Sequence, residues 1–260
     1  MSDASTSAPQ AAVPFHVRNK VALVTGANRG IGLCIVEGLL AAGATKVYAG
    51  VRTLSSADRL VRTHGTHRVV PLHIDLSDAD SIRRAAEAAP DTELVVNNAG
   101  VLNIVDPRDG DAFLAALQNQ MNVNAFGLAR MAQAFGPILE GHGGGALVQV
   151  NSTSSLRCPG PGFAGYAASK AAAYALTQGL RGSLPRTRVL SVHPGPISTD
   201  MVDQFGGRDR SEPPKQVAEA IVGALEKGDQ FLVFTDTFSR GMGEDYIGFA
   251  QKHVTGGPGY

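Results

Sequence analysis

Residues 166–170 read YAASK, which places a tyrosine and a lysine four positions apart with only small residues between them. On a helix, this spacing stacks the two side chains on one face. A free tyrosine has a pKa of about 10, and a nearby lysine ammonium would stabilise the phenolate and lower that pKa. Lowering the pKa to ~7 takes ~4 kcal/mol, the order that such a charge supplies at an effective dielectric of ~20. The pair predicts a general acid/base; the alternative is a surface Tyr and Lys on an ordinary helix.

A second candidate site is the glycine-rich stretch TGANRGIG at residues 25–32. It follows an apolar run and precedes a helical pattern. Glycines at such a junction permit a tight turn and bring backbone N–H groups close to a pyrophosphate. The stretch therefore predicts dinucleotide binding by Gly26, Arg29, Gly30, Ile31 and Gly32.

Two arginines favour NADP(H) over NAD(H), although NAD(H) stays possible. Sites for NAD commonly carry an acid after the second strand, where this chain has Arg52. Arg52 and Arg29 together suit a 2′-phosphate; the alternative is that both are solvated. Asp75 and Leu76, after the third strand, are further predicted cofactor contacts. Asp75 would hold the adenine amino group or, equally, act as a helix N-cap, because DLSD opens a helix.

Short apolar runs alternate with helical patterns along the chain. The predicted strands cover residues 20–25, 46–51, 68–75, 93–100, 145–152, 188–195 and 230–235. The predicted helices cover residues 30–43, 56–64, 77–89, 111–139, 163–183 and 214–227. This alternation predicts an α/β fold with a parallel sheet and helices on both faces. Ligands in such sheets bind beyond the carboxyl ends of the strands, where both candidate sites lie.

Six motifs in order resemble the short-chain dehydrogenase/reductase family. They are TGANRGIG, NNAG (97–100), NVNAFG (122–127), a serine after the fifth strand, YAASK and HPGPIST (193–199). The resemblance covers about residues 18–200, with ordinary family character to residue 235. It implies a single Rossmann-type, doubly wound domain with a seven-stranded parallel sheet. It also implies reversible hydride transfer between a nicotinamide and a carbonyl or alcohol.

The resemblance implies a role for each residue of a catalytic set. Tyr166 would be the acid/base, and Lys170 would lower its pKa and hold the nicotinamide ribose. Ser152 would position the substrate oxygen, and Asn124 would support a water that links Lys170 to solvent. The distance in sequence from Ser152 to Tyr166 is one residue longer than the commonest family spacing, so the hydroxyl at 153 or 154 is an alternative to Ser152.

The resemblance also implies further cofactor contacts after the fourth and sixth strands. They are Asn98, Ala99, Gly100, Pro194, Gly195, Ile197 and Thr199. The segment 200–213 would be a substrate lid, with Met201, Val202 and Phe205 as candidate pocket residues. His193 is interpreted as a packed, hydrogen-bonded histidine.

Composition restricts the partners. The chain has 260 residues, 43% of them hydrophobic, a formal net charge of zero and a pI of about 7.1. This balance argues against nucleic-acid or anionic-membrane partners, and no apolar run is long enough to span a bilayer. With only Cys34 and Cys158, a reducing, cytoplasmic location is expected. His64, His67 and His73 have no carboxylate or cysteine to complete a ligand set, so no metal site is predicted.

We expect a disordered arm over residues 1–17 and one NAD(P)-binding domain over residues 18–260. The tail 236–260 would form an extra helix over the pocket or join a subunit interface. Small residues on the YAASK helix allow close helix packing, within one subunit or between subunits; they are Ala167, Ala168, Ala171 and Ala172. The resemblance implies a homodimer or homotetramer.

The predicted function is NADP(H)-dependent hydride transfer to or from a small-molecule ketone, aldehyde or secondary alcohol. Two alternatives stay open at this point. One is a non-redox isomerase, lyase or cyclase on the same scaffold. The other is a cofactor-sensing binding protein.

Overall fold

The sheet of the computed structural model, which describes residues 13–255, contains seven parallel strands in the order β3-β2-β1-β4-β5-β6-β7. The strands are β1 (Val21–Thr25), β2 (Lys46–Val51), β3 (Val69–His73), β4 (Leu94–Asn97), β5 (Ala146–Val150), β6 (Arg188–Val192) and β7 (Leu232–Val233). The predicted seven-stranded α/β fold is confirmed. The strand order reverses between β1 and β4, where such sheets open a ligand crevice.

Helices cover both faces of the sheet. They are α1 (Gly30–Ala41), α2 (Asp58–His64), α3 (Ala79–Ala88), α4 (Asp111–Gln120), α5 (Gly127–Gly141), α6 (Ala164–Ser183), α7 (Asp200–Asp203), α8 (Lys215–Lys227) and α9 (Thr237–Ala250). π-helical segments cover Met121–Phe126 and Gln251–Thr255.

Two apolar layers hold the helices to the sheet. On one face, Val24 of β1 packs in a cluster with Ile35 of α1 and Ile221 of α8. On the other face, Leu23 packs in a cluster with Phe135 of α5. Successive strand residues point to opposite faces, so both faces of β1 are buried. This burial explains why the strands read as continuous apolar runs.

Several predicted strands are three or four residues shorter in the structure, and three further differences change an element. The predicted helix 111–139 is α4 and α5 joined through the π-helical segment Met121–Phe126. The predicted strand 230–235 shortens to the two residues of β7. The tail, for which an extra helix is one of the two predictions, forms α9, which is capped by Asp236.

The predicted disordered arm is wrong for its last residues, while residues 1–12 lie outside the described part of the chain. Phe15 and Val17 are buried in the core cluster beside α1 and α8. The Phe15 N–H donates to the Leu225 carbonyl at 2.8 Å, and the Val17 N–H donates to Glu226 at 2.8 Å. Phe15 and Val17 follow a stretch of small and polar residues in the sequence, but burial of their apolar side chains in the core holds this part of the chain in place.

Across the described residues 13–255, no helix combines the length and the apolar character that a bilayer crossing needs.

We expect Phe15→Ala to lower the free energy of unfolding by about 3 kcal/mol, because it removes a buried aromatic ring. Val13→Ala is the matched control: its side chain is 60% exposed, so a change within about 0.5 kcal/mol is expected. Urea unfolding followed by circular dichroism measures both. Equal stability of the two variants would contradict the packed position of Phe15.

Candidate active site

A cavity of about 830 Å³ lies beyond the carboxyl ends of β1 to β6. Its volume is in the range of ligand pockets, about 300–1,000 Å³. Seventeen of the predicted site residues line it: Gly26, Arg29, Gly30, Ile31, Arg52, Asp75, Leu76, Asn98, Ala99, Gly100, Ser152, Tyr166, Lys170, Pro194, Gly195, Ile197 and Thr199. The structure thus brings both candidate sites of the sequence into one space.

Two predicted residues, Gly32 and Asn124, do not line the cavity but stand behind its wall. A Cβ at position 32 would lie 2.1 Å from the Gly26 carbonyl oxygen, so only glycine allows α1 to start this close to the loop. Gly26 itself has a φ of 66°, which favours glycine. These two glycines keep a backbone-lined hollow open at the N-terminus of α1.

The fourth strand holds this hollow from the other side. The Asn98 side chain donates to the Thr25 carbonyl at 2.9 Å, and the Asn98 and Ala99 N–H groups each donate to the Thr25 hydroxyl at 3.0 Å. The end of β4 and the start of the glycine loop therefore form one rigid unit. Thr25 is a supporting residue that the sequence analysis did not single out.

The two predicted phosphate-binding arginines differ in their surroundings. Arg29 forms an ion pair with Asp200 at 2.5 Å, and both side chains are exposed. Arg52 is exposed and forms no ion pair with any acid of the described residues 13–255, within 4 Å. Its charge acts on Asp75 across the cavity end. Arg52 therefore lines the cavity with no carboxylate of the described chain within ion-pair distance, although the charge of Asp75 lies near enough to interact with it.

Asp75 is not the helix N-cap that the sequence left open. Asp78 caps α3 and accepts from the Asp80 N–H. Asp75 instead accepts from the N–H and the hydroxyl of Ser77, at 2.9 and 2.6 Å. The Ser77 hydroxyl lowers the pKa of Asp75, and the charge of Arg52 acts in the same direction. An ionised carboxylate therefore faces the cavity here.

Tyr166 meets Ser152 at the floor of the cavity. The Tyr166 side chain is hydrogen-bonded to the Ser152 hydroxyl, and the substrate-orienting role of Ser152 stays a prediction. The Ser152 oxygen also accepts from the Ser154 N–H at 3.1 Å. Because Ser152 is the acceptor in this bond, its hydroxyl proton stays free to be donated to Tyr166 or to a substrate oxygen. Of the three candidate hydroxyls, Ser152 is the one bonded to Tyr166.

Lys170 lies beside Tyr166 on α6, as the spacing predicts. Its Nζ is 5.8 Å from the centre of the Tyr166 ring and donates to the Val150 carbonyl at 2.9 Å. A Cβ placed on Gly100 would be 3.6 Å from this Nζ and 3.0 Å from the Asn124 side-chain oxygen. Lys170 and Asn124 therefore approach the same point beneath Gly100.

Asn124 is fixed by three side-chain hydrogen bonds of 2.9 Å. It accepts from the Val101 N–H and donates to the Val101 carbonyl and to the Ser169 hydroxyl. It lies in the π-helical segment between α4 and α5, a geometry often found at functional sites. The segment ties the loop after β4 to α6.

The pKa of Tyr166 differs in direction from the one that the spacing predicts. Burial raises the pKa of Tyr166 to about 12, and the hydrogen bond from Ser152 opposes part of that rise. Burial also lowers the pKa of Lys170 to about 8. Both groups are thus pushed toward their neutral forms, since neither faces bulk water. At pH 7 the phenol keeps its proton and Lys170 is mostly charged.

The loop after β6 is tied to the start of α9. The Gly195 N–H donates to the Asp236 carboxylate at 2.8 Å, and Asp236 is buried at 1% exposure. Asp236 also caps α9. The tail that carried no readable motif therefore supports the predicted cofactor loop, and its Phe238 lines the cavity.

The predicted lid segment closes over the same end. The N–H of Ser198, just before the segment, donates to the carbonyl of Glu212, near its end, at 2.8 Å. Phe205 packs edge-on against Phe163, with ring centres 5.2 Å apart. Met201, Val202 and Phe205 line the cavity, as the sequence suggests. That the segment acts as a substrate lid stays a prediction.

The residues present fit a nicotinamide dinucleotide. The backbone hollow at Gly26 and Gly32 faces the N-terminus of α1, where a pyrophosphate binds best. Arg52 lines the cavity after β2, and Tyr166 and Lys170 line it from α6, which follows β5. The groups predicted to bind phosphate, to bind ribose and to donate a proton therefore share one cavity.

Comparison with known proteins agrees with this geometry. A family model described as short chain dehydrogenase matches residues 20–209. The chain is 32% identical over 257 residues to 1-deoxy-11-beta-hydroxypentalenate dehydrogenase from Streptomyces exfoliatus. The aligned region covers 93% of this chain and 92% of that protein.

Solved structures show the same architecture. A short chain dehydrogenase from Burkholderia cenocepacia J2315 in complex with NADP has a TM-score of 0.80 at 36% identity, covering 91% of this chain and 96% of that one. A second, from Burkholderia phymatum in complex with NAD, has a TM-score of 0.79 at 22% identity, covering 95% and 100%. The second likeness concerns the fold alone.

Proposed function

This chain belongs to the short-chain dehydrogenase/reductase family, and we propose that it is an NADP(H)-dependent carbonyl reductase or alcohol dehydrogenase. Its substrate is a ketone, an aldehyde or the matching secondary alcohol. Tyr166 is the general acid/base. The observation that carries the proposal is the Tyr166 phenol, hydrogen-bonded to Ser152 and beside Lys170, on the wall of the cavity that the glycine loop also lines.

The nicotinamide supplies the hydride, and the chain's own residues manage the proton and the orientation. In reduction, the Ser152 hydroxyl donates to the substrate carbonyl oxygen and holds it next to the Tyr166 phenol. As negative charge develops on that oxygen, Tyr166 transfers its proton to it. A general acid of this kind contributes ~10²–10⁴-fold in rate.

The raised pKa of Tyr166 suits this direction. A phenol whose pKa is about 12 is fully protonated at pH 7, so the acid is always in its active form. An alkoxide is a much stronger base than a phenolate, so the transfer to it is downhill. In the oxidation direction the phenolate is needed, and the positive charge of Lys170 together with the Ser152 hydrogen bond favours it.

Lys170 and Asn124 have supporting roles in the proposal. Lys170 holds the nicotinamide ribose. Because its side chain is only 4% exposed, water screens its charge little at that position. Asn124, fixed beneath Gly100, holds the water that connects Lys170 to solvent. The bonds of Asn124 to Val101 and Ser169 support this role, because they leave its position no freedom.

The unpaired state of Arg52 supports the preference for NADP(H). A 2′-phosphate next to Arg52 gains a charge-assisted hydrogen bond, whereas the 2′-hydroxyl of NAD(H) does not. The NADP-bound structure from Burkholderia cenocepacia is consistent with this preference. Arg29 adds less in the proposal, because Asp200 already engages it.

We also propose that the chain is one domain that forms a homodimer or homotetramer and works in the cytoplasm. Large apolar side chains stay exposed on α4, on the π-helical segment after it and on α6: Leu114 at 54%, Phe126 at 52% and Leu176 at 39%. These three elements pack against one another, and exposed apolar side chains on neighbouring elements support a subunit contact there.

We expect Tyr166→Phe to lower kcat/KM for ketone reduction by at least about 10²-fold, because the proton donor is lost. The dissociation constant for NADPH should stay unchanged. NADPH oxidation over a panel of aliphatic, aryl and polycyclic ketones measures the rate, and fluorescence titration measures NADPH binding.

Tyr246→Phe is the matched control for that variant, since its hydroxyl contacts only Tyr174 among the described residues 13–255, at 3.3 Å. Its rate should remain at the wild-type level. Undiminished turnover in Tyr166→Phe would contradict the proposal, as would product formation without net NADPH consumption.

We expect Arg52→Gln to raise the KM for NADPH about tenfold or more, the loss of one charge-assisted hydrogen bond. The KM for NADH should change little. Arg62→Gln removes the same charge from the exposed side of α2, away from the cavity, and should leave both constants unchanged. An equal rise for NADPH and NADH in Arg52→Gln would overturn the NADP(H) preference.

A further inference from the structure

His193, directly after β6, is a buried group that the proposed mechanism does not use. Its exposure is 0%. The ring packs edge-on against Tyr174, with centres 4.7 Å apart, and stacks on Phe234 at 5.4 Å. A buried imidazole needs hydrogen-bond partners for both nitrogens. The identity of those partners determines which nitrogen carries the proton.

The Nδ1 side of His193 faces the backbone of the catalytic serine. Nδ1 lies 2.9 Å from the Ser155 hydroxyl oxygen and 3.3 Å from the Ser152 carbonyl oxygen. The Ser155 hydroxyl donates to that same carbonyl at 2.5 Å. A carbonyl oxygen only accepts, and this contact is shorter than the 2.9 Å contact with Nδ1, so we assign the one proton of Ser155 to the carbonyl. The Ser155 oxygen must then accept from Nδ1, which places the proton of the imidazole on Nδ1.

The Nε2 side completes a chain of hydrogen bonds with one direction. Nε2 lies 2.8 Å from the Ser191 hydroxyl oxygen, which accepts from the Asn151 amide at 2.7 Å. A neutral imidazole protonated on Nδ1 has a free acceptor at Nε2, and the Ser191 proton fills it. Donation therefore runs from Asn151 through Ser191, His193 and Ser155 to the Ser152 carbonyl. Every hydroxyl in the chain donates once and accepts once.

The end of this chain is the peptide that orients the catalytic hydroxyl. The Ser152 carbonyl belongs to the residue whose hydroxyl bonds to Tyr166. The following N–H, of Thr153, donates to the Pro194 carbonyl at 2.9 Å. His193 thus acts on the turn after β5 from one side, and the cofactor loop after β6 holds it from the other. Rotation of this peptide would move the Ser152 hydroxyl away from Tyr166.

We propose that His193, as a neutral imidazole protonated on Nδ1, is a positioning residue that holds the Ser152 hydroxyl in line with Tyr166. The inference rests on the proposed function, because its consequence is a property of the reduction step. A second proton on Nε2 would make that nitrogen a donor. The Ser191 hydroxyl could then no longer donate to it, and the hydrogen bonds would no longer run in one direction from Asn151 to the Ser152 carbonyl.

The surroundings of His193 keep it neutral. Burial lowers the pKa of His193 to about 4, the bond to the Ser152 carbonyl opposes this, and the charge of Lys170 adds to the lowering. The titratable groups that face the ring are Lys170 and Tyr174, both from α6. Burial raises the pKa of Tyr174 as well, so that phenol is neutral near pH 7.

The tautomer is measured directly by ¹⁵N NMR of protein labelled at histidine, with the His193 signals identified by their loss in His193→Asn. We expect a proton on Nδ1, none on Nε2, and no titration between about pH 8 and 5.5. A proton on Nε2, or a doubly protonated ring near pH 7, would overturn the inference. This readout needs no substrate and no turnover.

Two substitutions test separately the two ends of the hydrogen-bond chain, which are the Ser155 side at Nδ1 and the Ser191 side at Nε2. In His193→Asn the amide replaces Nδ1 and can donate to Ser155; in His193→Gln the amide reaches the Nε2 position and Ser191 instead. We expect His193→Gln to lower kcat about tenfold, the loss of one hydrogen bond, and His193→Asn to restore most of it. The KM for NADPH should be unchanged in both. Equal kcat values, or the reverse order, would overturn the positioning role.

Ser155→Ala tests the inference even if neither histidine variant folds. It keeps His193 in place and removes the hydroxyl that connects His193 to the Ser152 carbonyl. It should lower kcat as His193→Gln does, and a wild-type kcat would count against the inference. Wild type and Tyr166→Phe are measured alongside. Turnover that does not depend on Tyr166 contradicts the proposed function. Tyr166-dependent turnover with no difference between the histidine variants contradicts only the role of His193.

Discussion

Burial of the Tyr166 phenol next to the Lys170 ammonium is the constraint on which the rest of the site depends. Away from water, each group is driven toward its neutral form, which raises the pKa of Tyr166 to about 12 and lowers the pKa of Lys170 to about 8. A buried ammonium is tolerated only with hydrogen-bond partners, and the Val150 carbonyl at the end of β5 provides one. The parallel sheet supplies that carbonyl because its strands all end at the same edge.

Around this pair, hydrogen bonds connect several segments at the carboxyl edge of the sheet. Thr25 binds the loop after β4, Asn124 binds that same loop to α6, and Asp236 binds the loop after β6 to α9. These contacts are between residues far apart in sequence, and most are buried. The part of the cavity wall that these loops form is therefore preorganised by the fold.

The sequence predicts the sheet, the glycine loop and the Tyr166–Lys170 pair because each rests on local spacing or on apolar periodicity. The direction of the Tyr166 pKa was not predictable in this way, since spacing on a helix says nothing about how deeply that face is buried. The capping role of Asp78 in place of Asp75, and the packing of Phe15, likewise depend on tertiary contacts. No motif marks Asp236, and the motif HPGPIST that begins at His193 does not identify the hydrogen-bond partners of that ring, because those partners lie outside the motif.

The most direct test of the central claim is the ionisation of the Tyr166 phenol, followed by ultraviolet absorbance as the difference between wild type and Tyr166→Phe. A solvated tyrosine is half ionised at about pH 10. If burial dominates, the difference spectrum shows no phenolate up to about that pH, and ionisation begins only above it. A phenolate that is half formed at about pH 9 or below would contradict the account, because it would mean that Lys170 outweighs burial at this site.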